Sequence, residues 1–207
     1  MSIVKLNNQA VKNATSFGSI SSLGSMTFIK KLTASSSATL SFVDGSDGVV
    51  LDDTYKEYLF TFNNIHPATD GAHFLINFRD GGSLYDAVKT TTAFYSYHDE
   101  GDTEASVIYS AGSDLAQSTS GQRIAGSVGN DNDQQCSGTL HLFNPSSSTF
   151  VKHFISNSSV ITSGNYNYNW HSAGYINTST VIDGVQFVMS SGNIDSGTIK
   201  LYGIKDS

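Results

Sequence analysis

The sequence predicts an all-β protein, an antiparallel β-sandwich of the jelly-roll type with an extended N-terminal arm. Three observations support this fold class. Apolar and polar residues alternate with a period of two along most of the chain. The alternating runs are short, rich in aromatic and β-branched residues, and separated by glycine, serine, asparagine and aspartate. A sustained i, i+3, i+4, i+7 apolar pattern, which is typical of an amphipathic helix, does not occur.

Ten segments show the strand pattern. Leu40 and Phe42 share one face of the first segment, and Phe74, Ile76 and Phe78 share one face of the third. The last two segments, GVQFVM and GTIKLYGI, are separated by turn-forming residues, so we expect a closing β-hairpin there. The predicted strands are residues 38–44, 56–64, 72–80, 90–99, 104–110, 139–145, 149–156, 166–172, 184–189 and 197–204.

The first 36 residues differ from the rest of the chain. They are polar and rich in glycine and serine, with only a weak apolar thread from Ile3 to Val11. Two interpretations are open for residues 1–36. They form either an extended arm that contacts a neighbouring subunit or a larger body, or a first strand and linker of the same domain. Residues 37–207 are predicted to form the β-sandwich domain.

Composition argues against several classes of partner. Charged residues make up 14% of the chain and the formal net charge is −7, with Lys30 and Lys31 the only adjacent basic pair. Nucleic-acid binding normally requires a basic stripe, because phosphate neutralisation supplies much of the affinity. No apolar run approaches the roughly 18 residues of a membrane span, so we expect no membrane insertion. The N-terminus, MSIVKLNNQAVKN, lacks the apolar core of a signal peptide, which predicts synthesis in a cytoplasm without secretion.

The sequence contains no recognisable catalytic motif. The acidic stretches VDGSDGVVLDD, YHDEGDTEAS and GNDNDQQ lack the spacing of a calcium loop, and we interpret them as solvated turns, with a metal site as the alternative. A glycan-degrading protein would need two carboxylates facing each other across a cleft, and no segment indicates such a pair. Cys136 is the only cysteine, so no intrachain disulfide forms, and its QQCSG context predicts an inert side chain. We therefore predict no catalytic residue, no cofactor and no metal.

The stretch NYNYNWHS is the strongest candidate for a binding element. Tyr166, Tyr168 and Trp170 are predicted to share one face of a strand, with asparagine side chains on the other. Three interpretations are open: the aromatic face lies in the core, it stacks on a sugar ring, or it forms a subunit interface. For a sugar contact, the predicted ligand-binding residues are Tyr166, Tyr168, Trp170 and His98.

Several long segments resemble a known family. KLNNQAVKNATSFGS, TYKEYLFTFNNIHPATDGAHF, STSGQRIAGSVGNDNDQQCSGTLHLFNPSSSTFVKHFIS and MSSGNIDSGTIKLYGIK together resemble virion structural proteins of marine tailed bacteriophages, cyanophages among them. The resemblance spans nearly the whole chain. It implies a non-enzymatic particle component, either a head decoration or head fibre, or a tail-fibre or baseplate appendage. No catalytic residues accompany it.

This resemblance also sets expectations about partners and location. We expect a virion protein assembled in the host cytoplasm, forming a symmetric homo-oligomer, with a trimer favoured. Other capsid or tail proteins would be contacted through the N-terminal arm, since many weak links to one particle reinforce each other. The alternative is a receptor-binding or carbohydrate-binding module that contacts a host surface glycan.

Overall fold

Twelve β-strands and their connecting turns make up residues 25–205, the part of the chain that the computed structural model describes. This confirms the predicted all-β class. Residues 25–205 contain no helix that is long and apolar enough to cross a membrane. The strands are β1 (Met26–Ser37), β2 (Thr39–Val43), β3 (Glu57–Pro67), β4 (Ala72–Arg79), β5 (Lys89–Asp99), β6 (Ala105–Tyr109), β7 (Gln122–Val128), β8 (Cys136–Phe143), β9 (Lys152–Ile161), β10 (Tyr166–Ile176), β11 (Gly184–Met189) and β12 (Ile194–Ile204).

The strands form two antiparallel sheets. The large sheet has eight strands in the order β1-β12-β3-β8-β9-β10-β5-β6, and the small sheet has four in the order β2-β11-β4-β7. All paired strands run antiparallel. Inward-facing side chains from both sheets form one apolar core, which is the arrangement of a β-sandwich.

Aromatic packing fills the space between the sheets. Phe187 of β11 is stacked on Phe74 of the neighbouring strand β4 at a ring distance of 5.7 Å. Across the core, Phe60 of the large sheet lies 5.6 Å from Phe187 and 5.3 Å from Phe42. Each of these side chains is fully buried. Burying one such side chain contributes roughly 1.5–3 kcal/mol, so this cluster is a main source of stability.

The expected closing hairpin is wrong, because its two strands belong to different sheets. β11 lies between β2 and β4 in the small sheet, whereas β12 lies between β1 and β3 in the large one. Phe187 and Leu201 are both fully buried in the same core. Two apolar strand faces that fill one core layer from opposite sides cannot be hydrogen-bonded neighbours. The turn between them crosses from one sheet to the other, with Gly192 at a φ of 68°.

Part of the N-terminal segment is a strand of the sandwich. β1 pairs with β12 along its length, from Met26 opposite Ile204 to Ser37 opposite Ile194. Residues 26–36 therefore belong to the large sheet, as the first-strand interpretation expects. The arm interpretation of the preceding residues, 1–24, falls outside the described part of the chain.

Strand β7 is absent from the sequence-based prediction. Its sequence, QRIAGSV, has small residues where the other strands have aromatic ones. The reason is the large side chain beneath it: a Cβ atom at Gly126 would lie 2.5 Å from the ring of Trp170. Several strand boundaries also differ, two of them as follows. β9 ends at Ile161, five residues beyond the predicted 149–156, and β12 begins at Ile194, ahead of the predicted 197–204.

The large sheet extends beyond the small sheet. The small sheet ends at β7, which packs against β9 and β10. The loop that follows β6 covers the start of β5. The backbone N–H of Thr91 in β5 donates to the carbonyl of Leu115 in this loop. Farther along, all five residues of β6 are exposed. We call the uncovered part, residues 94–99 of β5, strand β6 and residues 166–169 of β10, the overhang.

Candidate functional site

Five aromatic residues form a ladder that begins at Trp170, beneath β7, and continues along the inner face of the overhang. Tyr168 lies opposite Tyr97, and Trp170 lies opposite Tyr95, in the pairing of β10 with β5. Tyr166 continues the same face of β10 toward the turn. We call Tyr95, Tyr97, Tyr166 and Tyr168 the tyrosine ledge; all four are half-exposed, and Trp170 is the buried base of the ladder.

The rings of the ladder stack on one another. Tyr95 lies between Trp170, at a centroid distance of 4.9 Å and a plane angle of 4°, and Tyr168, at 4.7 Å and 20°. Tyr97 continues the ladder 5.8 Å from Tyr168, with Tyr166 5.7 Å away edge-on. Because inner ring faces contact each other, a ligand meets mainly ring edges and phenol hydroxyls, and the outermost rings, Tyr97 and Tyr166.

Trp170 is part of the core, in agreement with one of the three interpretations of its strand. Only 2% of its surface is exposed. Its indole Nε1 donates to the Ser172 hydroxyl at 3.0 Å, so its one polar group is satisfied. Tyr168 is partly buried as well, and this partial loss of contact with water raises the pKa of its phenol above the usual value. Trp170 therefore supports the ledge from below and does not face solvent.

The structure places His98 away from the other three predicted ligand residues. His98 lies opposite Asn167, and both side chains point to the outer face of the sheet, because neighbouring residues in a strand alternate. Its Nε2 atom lies 3.1 Å from Oδ1 of Asp102 in the adjoining loop. Tyr166, Tyr168 and Trp170 are brought together, whereas His98 is not.

The acidic loop after β5 uses its carboxylates to hold its own backbone. Asp99 Oδ1 accepts hydrogen bonds from the backbone N–H groups of Thr103 at 2.8 Å and Glu104 at 2.7 Å. Its Oδ2 accepts from the Thr103 hydroxyl at 2.6 Å, and these bonds lower the pKa of Asp99 to about 2. Glu104 in turn accepts from the Tyr166 hydroxyl at 3.2 Å, which ties the loop to the ledge.

The acidic stretch VDGSDGVVLDD, a second of the three stretches considered for calcium, also forms a turn. Asp44 Oδ1 accepts from the Leu51 N–H at 2.7 Å, and Asp52 Oδ1 accepts from the Thr54 N–H at 2.8 Å. Asp47 pairs with Lys30 at 2.6 Å. Within residues 25–205, no group of three or more histidine, cysteine, aspartate or glutamate side chains is placed to hold a metal ion.

Arg123 borders the ledge on the side of the small sheet. It lies in β7 opposite Leu75, and its guanidinium carbon is 5.8 Å from the centroid of the Trp170 ring. Burial lowers the pKa of this half-buried guanidinium below its usual range. Its guanidinium forms no ion pair with any carboxylate of residues 25–205.

A pocket of about 250 Å³ lies beside Arg123, between the small sheet and the loop that follows β6. His73 lines it and accepts a hydrogen bond at Nδ1 from the Ser127 N–H at 2.9 Å. Burial and the nearby charge of Arg123 lower the pKa of His73, which favours the neutral imidazole. The pocket is lined by His73, Leu75, Gly112, Ser113, Leu115, Ser120, Gly121, Arg123 and Ser190.

The outer face of the large sheet carries a second exposed surface. In one row across the strands, Phe94 lies opposite both His171 and Tyr109, and its ring stacks on His171 at 4.8 Å. In the next row, Ile155 lies opposite Ala173. Phe94 and Ile155 are 45% and 51% exposed. We call Phe94, Tyr109, Ile155, His171 and Ala173 the outer strip.

The small side chain of Ala173 leaves a groove in the outer strip. The groove has a volume of about 490 Å³ and a mostly apolar lining. His153 and Tyr175, whose rings are 6.2 Å apart, border it on one side, and threonines 90 and 92 of β5 lie along another. Its shape suits an apolar group from a partner more than a charged ligand.

The structure also buries three reactive groups, and each of them is accounted for by its surroundings. Cys136 is fully buried, and burial raises the pKa of its thiol, which keeps it unreactive at neutral pH. Lys89 and Lys152 lie on either side of Ile176 in the large sheet, and the Lys152 ammonium donates to the Thr178 carbonyl at 3.0 Å. The Lys89 ammonium donates to the Ala87 and Thr119 carbonyls at 3.1 and 3.3 Å, and burial lowers its pKa to about 8.

Comparison with known proteins gave no matching family model, no matching curated protein and no matching solved structure. The function is therefore inferred from the residues of this chain.

Three residues of the site were missed by the sequence analysis. Tyr95 and Tyr97 lie in TAFYSYHD, where the aromatic residues alternate just as in NYNYNW. That shared alternation could have identified Tyr95 and Tyr97 as residues of the site. Arg123 could not be identified from the sequence, because only the folded structure shows how far each carboxylate lies from its guanidinium.

Proposed function

We propose that this chain is a non-enzymatic structural protein of a bacteriophage virion, a head decoration or fibre, or a tail-fibre or baseplate subunit. The observation that carries the proposal is the outer strip. Apolar and aromatic side chains such as Phe94 and Ile155 stand exposed on a hydrogen-bonded sheet face. Contiguous exposed apolar surface is typical of protein–protein contacts. The resemblance to virion structural proteins of marine tailed phages suggests the type of particle.

The strand order supports this proposal. Without the β5–β6 and β9–β10 pairs, eight strands remain, with the order first-eighth-third-sixth in one sheet and second-seventh-fourth-fifth in the other. We interpret this order as a jelly roll, an architecture found in viral capsid and lectin domains. Fold alone does not establish function, so the topology favours a class of protein and the outer strip supplies the contact surface.

In this proposal, copies of the chain form a symmetric homo-oligomer, with a trimer favoured, and bind other virion proteins through residues 1–24. Simultaneous attachment of several copies raises the overall affinity without a large interface on each one. The low share of charged residues, 14%, suits contacts made by shape, because salt screens long-range charge attraction.

Deletion of residues 2–24 tests the attachment segment. The truncated chain keeps all of β1 and every residue of the described core. We expect it to fold with an unchanged circular dichroism spectrum and to be missing from particles of a phage whose own gene carries the deletion. Mass spectrometry of purified particles measures this. Wild-type incorporation of the truncated chain would contradict the role of residues 1–24.

The substitution Phe94→Lys tests the outer strip. Phe94 is 45% exposed, so a lysine at this position does not disturb the folded chain. In a subunit interface that buries position 94, the lysine charge would be unfavourable. We expect loss of self-association, measured by analytical ultracentrifugation, and loss of particle incorporation. Asn63→Lys is the matched control, an exposed residue of β3 on the same sheet. Equal behaviour of the two variants would remove the outer strip from the proposal.

A second candidate function is glycan binding at the tyrosine ledge. The hydroxyl groups of Tyr95, Tyr97 and Tyr168 make no hydrogen bond within residues 25–205, and none of them is buried. Half-exposed aromatic rings with free hydroxyls suit the mixed apolar and polar surface of a sugar. This function would make the protein a receptor-binding module that contacts a host surface glycan.

Titration with host surface polysaccharide tests the ledge. We expect Tyr97→Ala to weaken binding and Tyr202→Ala, a half-exposed aromatic residue on the far strand β12, to leave it unchanged. Isothermal titration calorimetry or chemical-shift changes report the affinity. Absence of saturable binding at millimolar sugar would remove this candidate.

A further inference from the structure

We infer that Arg123 and the pocket beside it bind the carboxylate of an acidic sugar whose ring lies against the tyrosine ledge. This inference rests on the glycan-binding candidate and specifies the class of glycan. It starts from a difference between the two arginines of the chain, Arg79 and Arg123.

Among residues 25–205, Arg79 has a carboxylate partner and Arg123 does not. The guanidinium of Arg79 donates two hydrogen bonds to Asp183, at 2.9 Å from Nε to Oδ1 and 2.9 Å from Nη2 to Oδ2. Arg123 makes no ion pair with any carboxylate of residues 25–205. Residues 1–24 contain no aspartate or glutamate, so Asp206 is the one side-chain carboxylate beyond that range.

The position of Arg123 is costly without an anion. The side chain is half-buried, and withdrawal of a charge from water is unfavourable unless another charge or hydrogen bonds compensate. Its contact with the Trp170 ring, at 5.8 Å, offsets part of this cost through a cation–π interaction. A ligand carboxylate would supply the two parallel acceptors that a guanidinium matches best.

The pocket presents further donors around the same point. His73 accepts the Ser127 N–H at Nδ1, so in the neutral imidazole the proton is on Nε2. Ser190 Oγ accepts a hydrogen bond from the backbone N–H of His73 at 2.9 Å, which leaves the hydroxyl proton of Ser190 free to donate. Ser120 adds a hydroxyl on the opposite wall. One cation with several neutral donors suits a single carboxylate better than a polyanion.

The ledge explains why the carboxylate belongs to a sugar. The Arg123 guanidinium carbon lies 5.8 Å from the centroid of the Trp170 ring, and the same ring stacks on Tyr95 at 4.9 Å, so Trp170 links the charge to the ledge. In the proposed complex the carboxylate is bound by Arg123, and its attached ring lies toward the phenol hydroxyls of Tyr95 and Tyr168. A free anion such as acetate would bind the Arg123 guanidinium and would make no contact with the tyrosine ledge.

The experiment compares three probes and four proteins. Glucuronate, glucose and acetate are titrated by calorimetry into the wild-type chain, Arg123→Gln, Lys56→Gln and Tyr97→Ala. Lys56 is exposed, so its substitution removes the same charge away from the pocket. We expect glucuronate to bind the wild type and Lys56→Gln equally, and Arg123→Gln about tenfold to a hundredfold more weakly, since one charge-assisted pair is lost.

Each alternative outcome has a distinct meaning. Equal affinity for glucuronate and glucose, with loss of both in Tyr97→Ala, would overturn the acidic-sugar inference and keep the glycan-binding candidate. Equal affinity for acetate and glucuronate would overturn the role of the sugar ring. Absence of binding by every probe would overturn both. If Arg123→Gln does not fold, salt dependence decides: glucuronate affinity that is independent of salt in the wild type overturns the inference.

Discussion

The two halves of the large sheet use different aromatic residues on the same inner face. Beneath the small sheet, Phe60 and Phe62 of β3 are fully buried. In the overhang, Tyr95 and Tyr97 of β5 are half-exposed, although they follow the same alternation. The hydroxyl group makes the difference, because burying it without a hydrogen bond costs free energy. Strand β3 also buries Tyr58, whose hydroxyl donates to the Asp52 carbonyl at 2.8 Å.

This difference teaches how one strand pattern supports two tasks. The phenylalanine half stabilises the fold through contacts that exclude water. The tyrosine half keeps the strands aligned by ring stacking and leaves a row of polar groups facing solvent. Substitutions in the two halves should therefore affect different properties, stability in the first and recognition in the second.

The largest expected effect comes from the centre of the covered half. Phe187→Ala removes a ring that contacts Phe42, Phe60 and Phe74. We expect the free energy of unfolding to fall by about 3–5 kcal/mol, because a buried cavity is left behind. Tyr97→Ala in the overhang should cost less than about 1 kcal/mol, since its site is partly open to water. Urea denaturation of both variants measures the difference, and equal losses would contradict the distinction between the halves.

The next effect concerns the boundary between the halves. Gly126→Ala places a methyl group 2.5 Å from the Trp170 ring, so either β7 or the tryptophan has to move. We expect a loss of about 1–3 kcal/mol from overpacking. Trp170 is the only tryptophan of the chain, so its fluorescence reports the displacement.

Gly112→Ala is the matched control for this prediction. A Cβ atom at Gly112 meets nothing within 4 Å. Its stability should change by less than about 0.5 kcal/mol, with an unchanged emission spectrum. A Gly126→Ala protein as stable as this control would show that the boundary is loosely packed.

A smaller effect is expected from pH at the covered start of β5. Folding lowers the pKa of Lys89 to about 8 from an ordinary 10.5, so between these values the unfolded chain binds more protons than the folded one. Stability therefore rises with pH, by about 2 kcal/mol from pH ~7 to ~9.5. Lys89→Met should remove most of this rise, which denaturation at several pH values measures. An equally steep rise in the variant would contradict the assignment to Lys89.

The smallest effect compares single hydroxyl groups in the two halves. Tyr58→Phe removes the hydrogen bond from the Tyr58 hydroxyl to the Asp52 carbonyl and should cost about 1 kcal/mol. Tyr97→Phe removes a solvent-facing hydroxyl and should change stability by less than about 0.5 kcal/mol. Thermal unfolding measures both. A larger loss at Tyr97 would show that the ledge hydroxyls are structural.

The fold was predictable where alternation is strong. Segments 56–64 and 72–80 correspond closely to β3 and β4, because large apolar residues on one face require a core on that side. β7 was not predictable in this way, since its small residues are explained only by a tryptophan more than forty residues away, at position 170. The closing hairpin was wrong for a related reason. Alternation tells which side of a strand is buried, and it does not tell which sheet the strand joins.

The candidate site was predictable in part. The one-sided aromatic face of Tyr166, Tyr168 and Trp170 follows from the period of a strand alone. Its partners Tyr95 and Tyr97 depend on the pairing of β10 with β5, which joins segments about seventy residues apart. The same period already separates His98 from Tyr97, because adjacent residues point to opposite faces. The isolation of Arg123 requires the complete arrangement of carboxylates in space.

The position of β12 has a consequence for the order of folding. It separates β1 from β3, and both make their hydrogen bonds to it. During synthesis β1 and β3 emerge from the ribosome before β12. The edges that later pair with β12 therefore have no partner strand until residues 194–204 are synthesised. Such long-range pairing slows folding and lengthens the time for which strand edges are open to other chains. A nascent chain stalled before position 194 would thus be a target for chaperones or for aggregation.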